Sequence, residues 1–243
     1  ALVYGREMEE RRAAVIASVT EQGNMTPELL AQIEAADSKQ RIEDLYLPFK
    51  PKRRTRAQIA IAAGLAPLAD KLLADPTLTP ETEAAAFVSA EKGVADVKAA
   101  LDGARDILAE RFAENADMLE MLRSWLWTHA FIVSAVVEDK RNTEEAAKFR
   151  DYFDYSEGIN EVASHRALAL FRGRQEGVLT LKMLLTEDEE ALPVHPCQVK
   201  IADFLGLTNK GRAADAWLAS VVRWTWRVKC LTTLETDLFT RLR

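Results

Sequence analysis

The sequence has few of the residues that mark several common protein classes. Its 243 residues include two cysteines, Cys197 and Cys230, which are too few for a disulfide scaffold or for a zinc site built from cysteine alone. Ten glycines, eight prolines and four tyrosines argue against an all-β sandwich or barrel. Apolar residues make up 48% of the chain, which is too many for a disordered polymer.

Long apolar runs and targeting signals are also absent from the sequence. The longest apolar stretch, Ala130 to Val137, is interrupted by Ser134 and falls far short of the roughly 20 residues that span a bilayer. We interpret it as part of a buried helix. No basic region is followed by an apolar core, as a signal peptide would require. The expectation is a soluble, globular, intracellular protein with no membrane contact.

Both ends of the sequence lie inside helical patterns. The chain opens on ALVYGREMEERRAAVIASV without an initiator Met or an N-cap, and it closes on TDLFTRLR. A helix end leaves four backbone groups without partners, so native chains seldom begin or end there. This pattern predicts a piece of a longer protein, and a native mass near 27 kDa would contradict that.

Strong helix formers dominate what is present, with 38 alanines among them. The sequence predicts a mainly α, multi-helix fold with a long C-terminal helix from Ala213 onward and at most a small β element near residues 178–185. N-cap residues predict helix starts at Thr26, Ser38, Thr79 and Ser164. Further predicted helices are the first one, which stops at Gly23, and those over 58–63, 67–74, 94–112, 118–137 and 147–155.

Charged residues 138–145 break the helical pattern and give the predicted domain boundary. Residues 1–137 then form an N-terminal helical domain, with a helix-turn-helix-like unit at about 50–75. Residues 138–243 form a central helical domain that includes the long C-terminal helix.

Catalytic chemistry has little support in the sequence. His195 and Cys197 flank a proline and have no second ligand pair at zinc spacing, which favours a loop histidine and a buried cysteine. Asp151, Asp154 and Glu157 would share one face of a predicted helix, where a solvated surface is a better interpretation than a Mg²⁺ site. We predict no enzyme activity, no catalytic residue, no metal site and no cofactor.

One basic segment stands out against the net charge of −6. Five of the seven residues from Lys50 to Arg56 are cationic: Lys50, Lys52, Arg53, Arg54 and Arg56. A short cationic run next to a helix start can supply several phosphate contacts. The alternative is a solvated, charged connector between helices.

The sequence after the basic segment resembles a helix-turn-helix. Ala60 and Gly64 would allow close helix approach and a turn at positive φ, and Ile59, Ala63, Leu65 and Leu73 occupy positions that the motif buries. Two features depart from the motif. Asp70 takes a position that is usually buried, and the second helix, 67–74, exposes Lys71 but no Arg, Asn or Gln to contact bases. Binding would therefore be directed at the nucleic-acid backbone, with Lys71 added to the basic set.

Several long segments in the same order resemble the Tex family of bacterial transcription accessory proteins, which carry an S1 RNA-binding domain. They are RIEDLYLPFKPKRRTRAQIAIAAGLAPLAD, VADVKAALDGARDILAERFAE, KFRDYFDYSE, SHRALALFRGRQEGVLTLK and GRAADAWLASVVRWTWRVK. The resemblance implies the N-terminal helical region of such a protein, without its first helices. It also implies that a YqgF-like module, helix-hairpin-helix repeats and an S1 domain follow in the whole protein.

Within that resemblance, Lys50, Lys52, Arg53, Arg54 and Arg56 match the family's basic segment, and residues 58–74 match its helix-turn-helix-like unit. At Ile61 and Ala62 this chain departs from the family, in which a more polar pair of residues is expected. The family is linked to transcription, and its main RNA and DNA contacts are attributed to the S1 domain. We therefore expect a non-enzymatic helical scaffold that binds the RNA or DNA backbone with little sequence preference. The alternative is a platform for a transcription or translation partner, with no direct nucleic-acid contact.

Overall fold

The computed structural model describes residues 2–243, and they form a mainly helical fold with one small sheet, as the sequence predicts. The α-helices are α1 (Leu2–Glu21), α2 (Pro27–Ala35), α3 (Lys39–Tyr46), α4 (Arg56–Ala62), α5 (Ala66–Ala74), α6 (Pro80–Ala85), α7 (Val97–Ala113), α8 (Ala116–His129), α9 (Ser164–Gln175), α10 (Pro196–Leu205), α11 (Asp215–Trp224) and α12 (Leu231–Arg241). The strands are β1 (Phe131–Val136), β2 (Asp154–Gly158) and β3 (Leu179–Leu184).

Side-chain caps fix several helix starts where the sequence predicts them. The Thr26 hydroxyl accepts a hydrogen bond from the Leu29 N–H at 3.1 Å, and the Ser38 hydroxyl accepts one from Arg41 N–H at 3.1 Å. Each bond satisfies one of the N–H groups that a helix start leaves without a partner. The predicted caps at Thr26 and Ser38 are confirmed. The other two are wrong, because Thr79 makes no side-chain cap hydrogen bond and Ser164 is the first residue inside α9, where Ala163 takes the N-cap position.

The chain divides into two compact units, and the first comprises residues 2–120 and 200–229. Its N-terminal core lies among α1, α2 and α3 and consists of Val15, Val19, Ile33, Ala36, Ile42, Leu45 and Tyr46. Elsewhere in this unit, α7 packs against α4, α5, α6 and α11. Helix α7 thus forms the support for the helix pair that follows the basic segment.

The second unit comprises residues 121–199 and 230–243. Its sheet has the strand order β2-β1-β3, and both pairings are antiparallel. Ile132 at the centre of β1 lies opposite Glu157 of β2 and Met183 of β3. Helix α9 packs against β3.

The prediction of a helix through residues 130–137 is wrong, because this stretch forms the central strand. Ile132, Ser134 and Val136 are buried, while Phe131 and Ala135 are exposed and Val133 is half-buried. This period of two, together with β-branched side chains, suits a strand in the middle of a sheet. A short apolar run directly after a helix does not distinguish the two structures.

The structure confirms the strand predicted near residues 178–185 and pairs it with β1. The helix predicted over residues 147–155 is wrong. Residues Glu145–Tyr152 form a 3₁₀ segment, and β2 begins at Asp154. Hydrogen bonding to β1 decides the conformation of this polar strand.

The predicted long C-terminal helix is confirmed, with one widened turn. Helices α11 and α12 are joined by the π-helical segment Thr225–Cys230. At the start of this segment, the Thr225 hydroxyl donates a hydrogen bond to the Val221 carbonyl at 2.8 Å. Glu235 of α12 accepts a hydrogen bond from the Met183 N–H at 3.1 Å. It therefore satisfies a donor at the edge of the sheet.

Candidate nucleic-acid interface

The basic segment, defined as residues 50–56, is an extended connection between two helical elements. A 3₁₀ turn, Leu47–Phe49, ends the preceding helix, and α4 begins at Arg56. Thr55 and Gln58 form a capping box, in which the Thr55 hydroxyl accepts from the Gln58 N–H and the Gln58 side chain accepts from the Thr55 N–H. Since the two bonds are 3.1 and 3.0 Å long, the boundary between segment and helix is well defined.

Helices α4 and α5 form a bent pair. The angle between them is 99°, and Gly64 in the turn has a φ of 84°. This angle lies within the range of helix-turn-helix pairs, and a residue with a Cβ would be strained at that φ. No single helix in residues 2–243 has the length and apolar composition to cross a membrane, although this bent pair passes that test when taken together.

Close packing against α7 holds the bent pair in place. A Cβ added at Gly103 of α7 would lie 3.2 Å from the Ala60 Cβ and 2.3 Å from a Leu65 methyl carbon. The predicted close approach at Ala60 is thus present, but its partner is α7. Leu65 is buried as predicted, whereas Ile59 is 49% exposed, so its predicted burial is wrong. Burial in α4 falls instead on Ala57 and Ala60, which face α7.

Two of the six predicted cations are held by carboxylates. The Lys52 ammonium contacts the carboxylate of Glu114 and lies 4.0 Å from that of Glu110. The Lys71 ammonium lies 2.5 Å from the Glu83 carboxylate. A phosphate would have to compete with these acids, so the two lysines are weaker candidates than their neighbours.

The other four cations of the predicted set are exposed. Lys50, Arg53, Arg54 and Arg56 form no ion pair with any residue in the described part of the chain. All four belong to the basic segment, within seven consecutive positions. The structure therefore leaves a compact patch of free positive charge in front of α4.

Helix α5 offers no side chains that would distinguish bases. Asp70 is exposed, and its carboxylate accepts a hydrogen bond from Arg111 Nη1 at 2.7 Å. Side chains that hydrogen-bond base edges, such as Arg, Asn and Gln, do not occur in α5. Helix α5 therefore presents no Arg, Asn or Gln to base edges, and the exposed cations of the basic segment suit contact with phosphates.

The histidine–cysteine pair has a structural role at the start of α10. His195 Nε2 lies 2.6 Å from the Glu189 carboxylate, and His195 Nδ1 accepts a hydrogen bond from the Cys197 N–H at 3.0 Å. No cluster of three or more His, Cys, Asp or Glu side chains that could hold a metal occurs within residues 2–243.

The three acidic residues predicted to share a helix face do not do so. Asp151 lies in the 3₁₀ segment, whereas Asp154 and Glu157 lie on β2. Three residues along a strand reverse the direction of the side chain, so these two carboxylates point to opposite faces. The proposed one-face arrangement of carboxylates is wrong.

Glu157 instead forms an ion pair between β2 and α9. Its carboxylate accepts hydrogen bonds from Arg166 Nε at 3.0 Å and Nη2 at 2.6 Å, and one from the Tyr155 hydroxyl. Burial raises the pKa of Glu157, but the hydrogen bonds from Arg166 and Tyr155 outweigh it and leave that pKa below its usual value. Burial, followed by the bond to Glu157, raises the pKa of Tyr155 to about 12.

The second unit carries a further group of cations that the sequence did not predict as a site. Arg172 and Arg174 of α9 and Arg243 line one open groove in the second unit. The sequence does contain one indication of this group, because the spacing of Leu168, Phe171, Arg172 and Gln175 places them on one face of a helix.

These features define a mainly helical scaffold with exposed cations and no cluster of metal-ligating side chains among the described residues. A family model described as Tex central region-like matches residues 75–243. The chain belongs to this Tex family, which confirms the resemblance found in the sequence.

Three relatives show the extent of the similarity. Protein tex of Bordetella pertussis is 56% identical over 247 residues, which cover 100% of this chain and 31% of that protein. Transcriptional accessory protein Tex of Neisseria gonorrhoeae is 47% identical over 242 residues, covering 100% of this chain and 31% of that protein. Human S1 RNA-binding domain-containing protein 1 is 27% identical over 192 residues, covering 74% of this chain and 19% of that protein. The chain thus spans 31% of the length of the two bacterial relatives.

Proposed function

We propose that this chain is a non-enzymatic scaffold that binds the sugar-phosphate backbone of RNA or DNA with little sequence preference. The observation that carries the proposal is the patch of four exposed cations in the basic segment: Lys50, Arg53, Arg54 and Arg56. The printed names of two relatives, a transcriptional accessory protein and an S1 RNA-binding domain-containing protein, support a role beside nucleic acid.

Physical chemistry favours phosphate as the ligand of this patch. Guanidinium groups present several N–H donors in a plane and bind phosphate oxygens in pairs. Contacts of this kind release counterions from the nucleic acid, so they give affinity without sequence information. The carboxylate partners of Lys52 and Lys71 weaken the case for these two lysines, so the proposed site centres on the other four residues.

In the whole protein, we expect the scaffold to work in the cytoplasm, without a cofactor, alongside YqgF-like, helix-hairpin-helix and S1 modules and near the transcription machinery. Turnover of a nucleotide substrate that depends on a divalent metal would contradict the non-enzymatic part of this proposal.

A salt series with labelled single-stranded and duplex RNA and DNA tests the binding site. The double variant Arg53→Gln/Arg54→Gln should reduce the dependence of log affinity on log salt by about 0.9 per lost contact with duplex DNA, or about 0.7 with single strands. The matched control is Arg223→Gln/Arg227→Gln, which removes two exposed arginines of the same unit and equal charge. Lys71→Gln should change the slope less than the arginine double variant does, because Lys71 pairs with the Glu83 carboxylate.

The absence of any binding at low salt would contradict the proposal. Equal slopes for the arginine double variant and its control would show that net charge, and not this patch, determines binding.

A protein-binding platform is the second candidate, and the exposure of α4 favours it. Ile59 and Ile61 are 49% and 51% exposed next to the basic segment. An acidic partner with an apolar contact could use both features. In that case, Ile61→Asp would abolish capture of a transcription or translation partner, and the chain would not bind nucleic acid at any salt concentration.

A further inference from the structure

The second unit contains an open groove lined mostly by arginine and apolar side chains. Its volume is about 920 Å³, and it is lined by Leu168, Phe171, Arg172, Arg174, Gln175 and Arg243. Five of these residues belong to α9, and Arg243 follows α12. The residues of the basic segment belong to the other unit.

Helical geometry explains why α9 presents this combination. Leu168, Phe171, Arg172 and Gln175 are spaced by three, one and three residues, which places them on one face of the helix. The same helix buries Ala167, Leu170 and Gly173 on its other side, and Phe171 is itself buried beneath the arginines. As a result, Leu168 is left 65% exposed beside the arginines.

Aromatic rings orient two of the three guanidinium groups. The Arg174 and Arg243 guanidinium carbons lie 5.2 and 5.0 Å from the centre of the Phe171 ring. Arg174 also lies 5.8 Å from the ring centre of Phe239. A cation–π contact of this kind favours one position of a guanidinium, while its N–H donors remain available to a ligand.

Few carboxylates compete for these arginines. In the described part of the chain, their one ion pair joins Arg172 to Glu176 at 3.8 Å, and the Arg172 side chain remains 68% exposed. All three cations are arginines, which bind phosphate in pairs of hydrogen bonds and stack on flat rings. The groove therefore offers a concentration of positive charge together with planar surfaces.

We propose that this groove binds single-stranded RNA or DNA, with the arginines on phosphates and with bases lying against guanidinium planes and Leu168. An acidic peptide fits less well, because an anchoring side chain needs an apolar pocket and two guanidinium groups cover Phe171. The inference extends the proposed function by a second site for the same class of ligand, and the two sites can be tested separately.

The test measures the affinity of the 243-residue chain for labelled 15-nucleotide RNA and DNA strands across a salt series. Arg172→Gln/Arg174→Gln should lower the slope of log affinity against log salt by about 1.4 and weaken binding at 50 mM salt by more than about tenfold. The matched control is Arg150→Gln/Lys182→Gln, which removes two exposed cations of the same unit outside the groove.

A second variant guards against loss of folding. Leu168→Glu changes an exposed side chain, so the thermal unfolding midpoint should remain that of the parent while the added carboxylate weakens binding. Strands that carry 4-thiouridine should crosslink to α9, and mapping of the crosslinked peptide locates the contact directly.

The possible outcomes distinguish binding at the groove from binding at the basic segment. If the groove variants match their control while Arg53→Gln/Arg54→Gln weakens binding, the groove proposal is wrong and the proposed function stands. If only the groove variants weaken binding, the groove stands and the basic segment is not the site. A poly-glutamate peptide that occupies the groove as tightly as the strands would overturn the assignment to nucleic acid.

Discussion

At the scale of single residues, Asp215 shows how a buried carboxylate is stabilised in the first unit. It is 1% exposed and accepts hydrogen bonds from the backbone N–H groups of Lys210 at 2.8 Å and Arg212 at 2.9 Å. Arg212 Nη2 adds a further bond at 2.9 Å. The side-chain hydrogen bond from Arg212 outweighs burial and lowers the pKa of Asp215 to about 2.

Asp215→Asn should therefore destabilise the protein in a way that depends on pH. A carboxyl whose pKa is depressed by folding contributes stability above its unfolded pKa, near 4, and loses it as the pH falls towards 2. Urea unfolding should show the variant less stable than the parent at pH 7 and the difference closing between pH 4 and 2. The exposed Asp37→Asn serves as the control. A difference that does not change with pH would contradict this account.

Replacement of two helical glycines by alanine should change the stability of the protein in opposite directions. A Cβ at Gly173 of α9 would lie 2.4 Å from Leu179 Cδ1, 2.8 Å from its Cγ and 3.3 Å from Phe149 Cδ1. Overpacking of this kind costs about 1–3 kcal/mol, so Gly173→Ala should be destabilising. At Gly5 of α1 no atom lies within 4 Å, and Gly5→Ala should stabilise the helix by about 0.5–1 kcal/mol. Thermal unfolding of both variants checks the signs, and a more stable Gly173→Ala would refute the packing argument.

The candidate site was only partly predictable at this scale. The run of cations at residues 50–56 is visible in the sequence, but the partner of Lys52, Glu114, is remote in the chain and meets it only after α7 packs on α4. The same holds for Arg243, which approaches Phe171 from a distant part of the sequence. Local sequence patterns carry no information about such contacts, so they do not show which cations have a partner in the folded chain.

At the scale of elements, helices were more predictable than strands. Helix starts depend on local hydrogen bonds such as those of Thr26 and Ser38, which the sequence shows directly. The apolar run of β1 is too short to distinguish a strand from a helix, and the sequence of β2, DYSEG, is too polar to indicate a strand. Both strands depend on pairing partners remote in sequence, which single-sequence patterns do not contain.

The capping box at α4 should contribute measurably to stability. Thr55→Ala removes the hydroxyl that accepts from Gln58 N–H and should cost about 1 kcal/mol. Thr79 occupies the same position before α6 but makes no side-chain cap bond, so Thr79→Ala is a matched control with a smaller cost. Chemical denaturation of the two variants gives the comparison, and equal costs would show that the cap at α4 is not stabilising.

Glu235 should stabilise the second unit through one hydrogen bond to the edge strand. Glu235→Ala leaves the Met183 N–H without its acceptor and should cost about 1–3 kcal/mol. Glu235→Gln keeps an acceptor oxygen and should retain most of the stability. Amide hydrogen exchange at Met183 should accelerate in the alanine variant and much less in the glutamine variant. Unchanged exchange in the alanine variant would exclude this role.

At the scale of the whole molecule, the two units are built from discontinuous parts of the chain. The first unit includes residues 200–229, and within it α11 packs on α7. The second unit includes residues 230–243, which carry Glu235. Each unit therefore needs a late segment of the chain to complete its packing. The domain boundary predicted at residue 138 stays a prediction, and the sheet provides a direct way to test a division there.

A chain divided after Val137 should yield two pieces, neither of which folds completely without the other. Strand β1 lies in the first piece, while β2 and β3, which pair with β1 and not with one another, lie in the second. Without its central strand, the second piece has no sheet, and the first lacks the α11 that covers part of α7. Residues 138–243 alone should show poorly dispersed amide signals in NMR spectra, and addition of residues 1–137 should restore dispersion and a cooperative thermal transition. Well-dispersed spectra from residues 138–243 alone would mean that β2 and β3 fold without β1, and the sheet would then not require residues on both sides of the division.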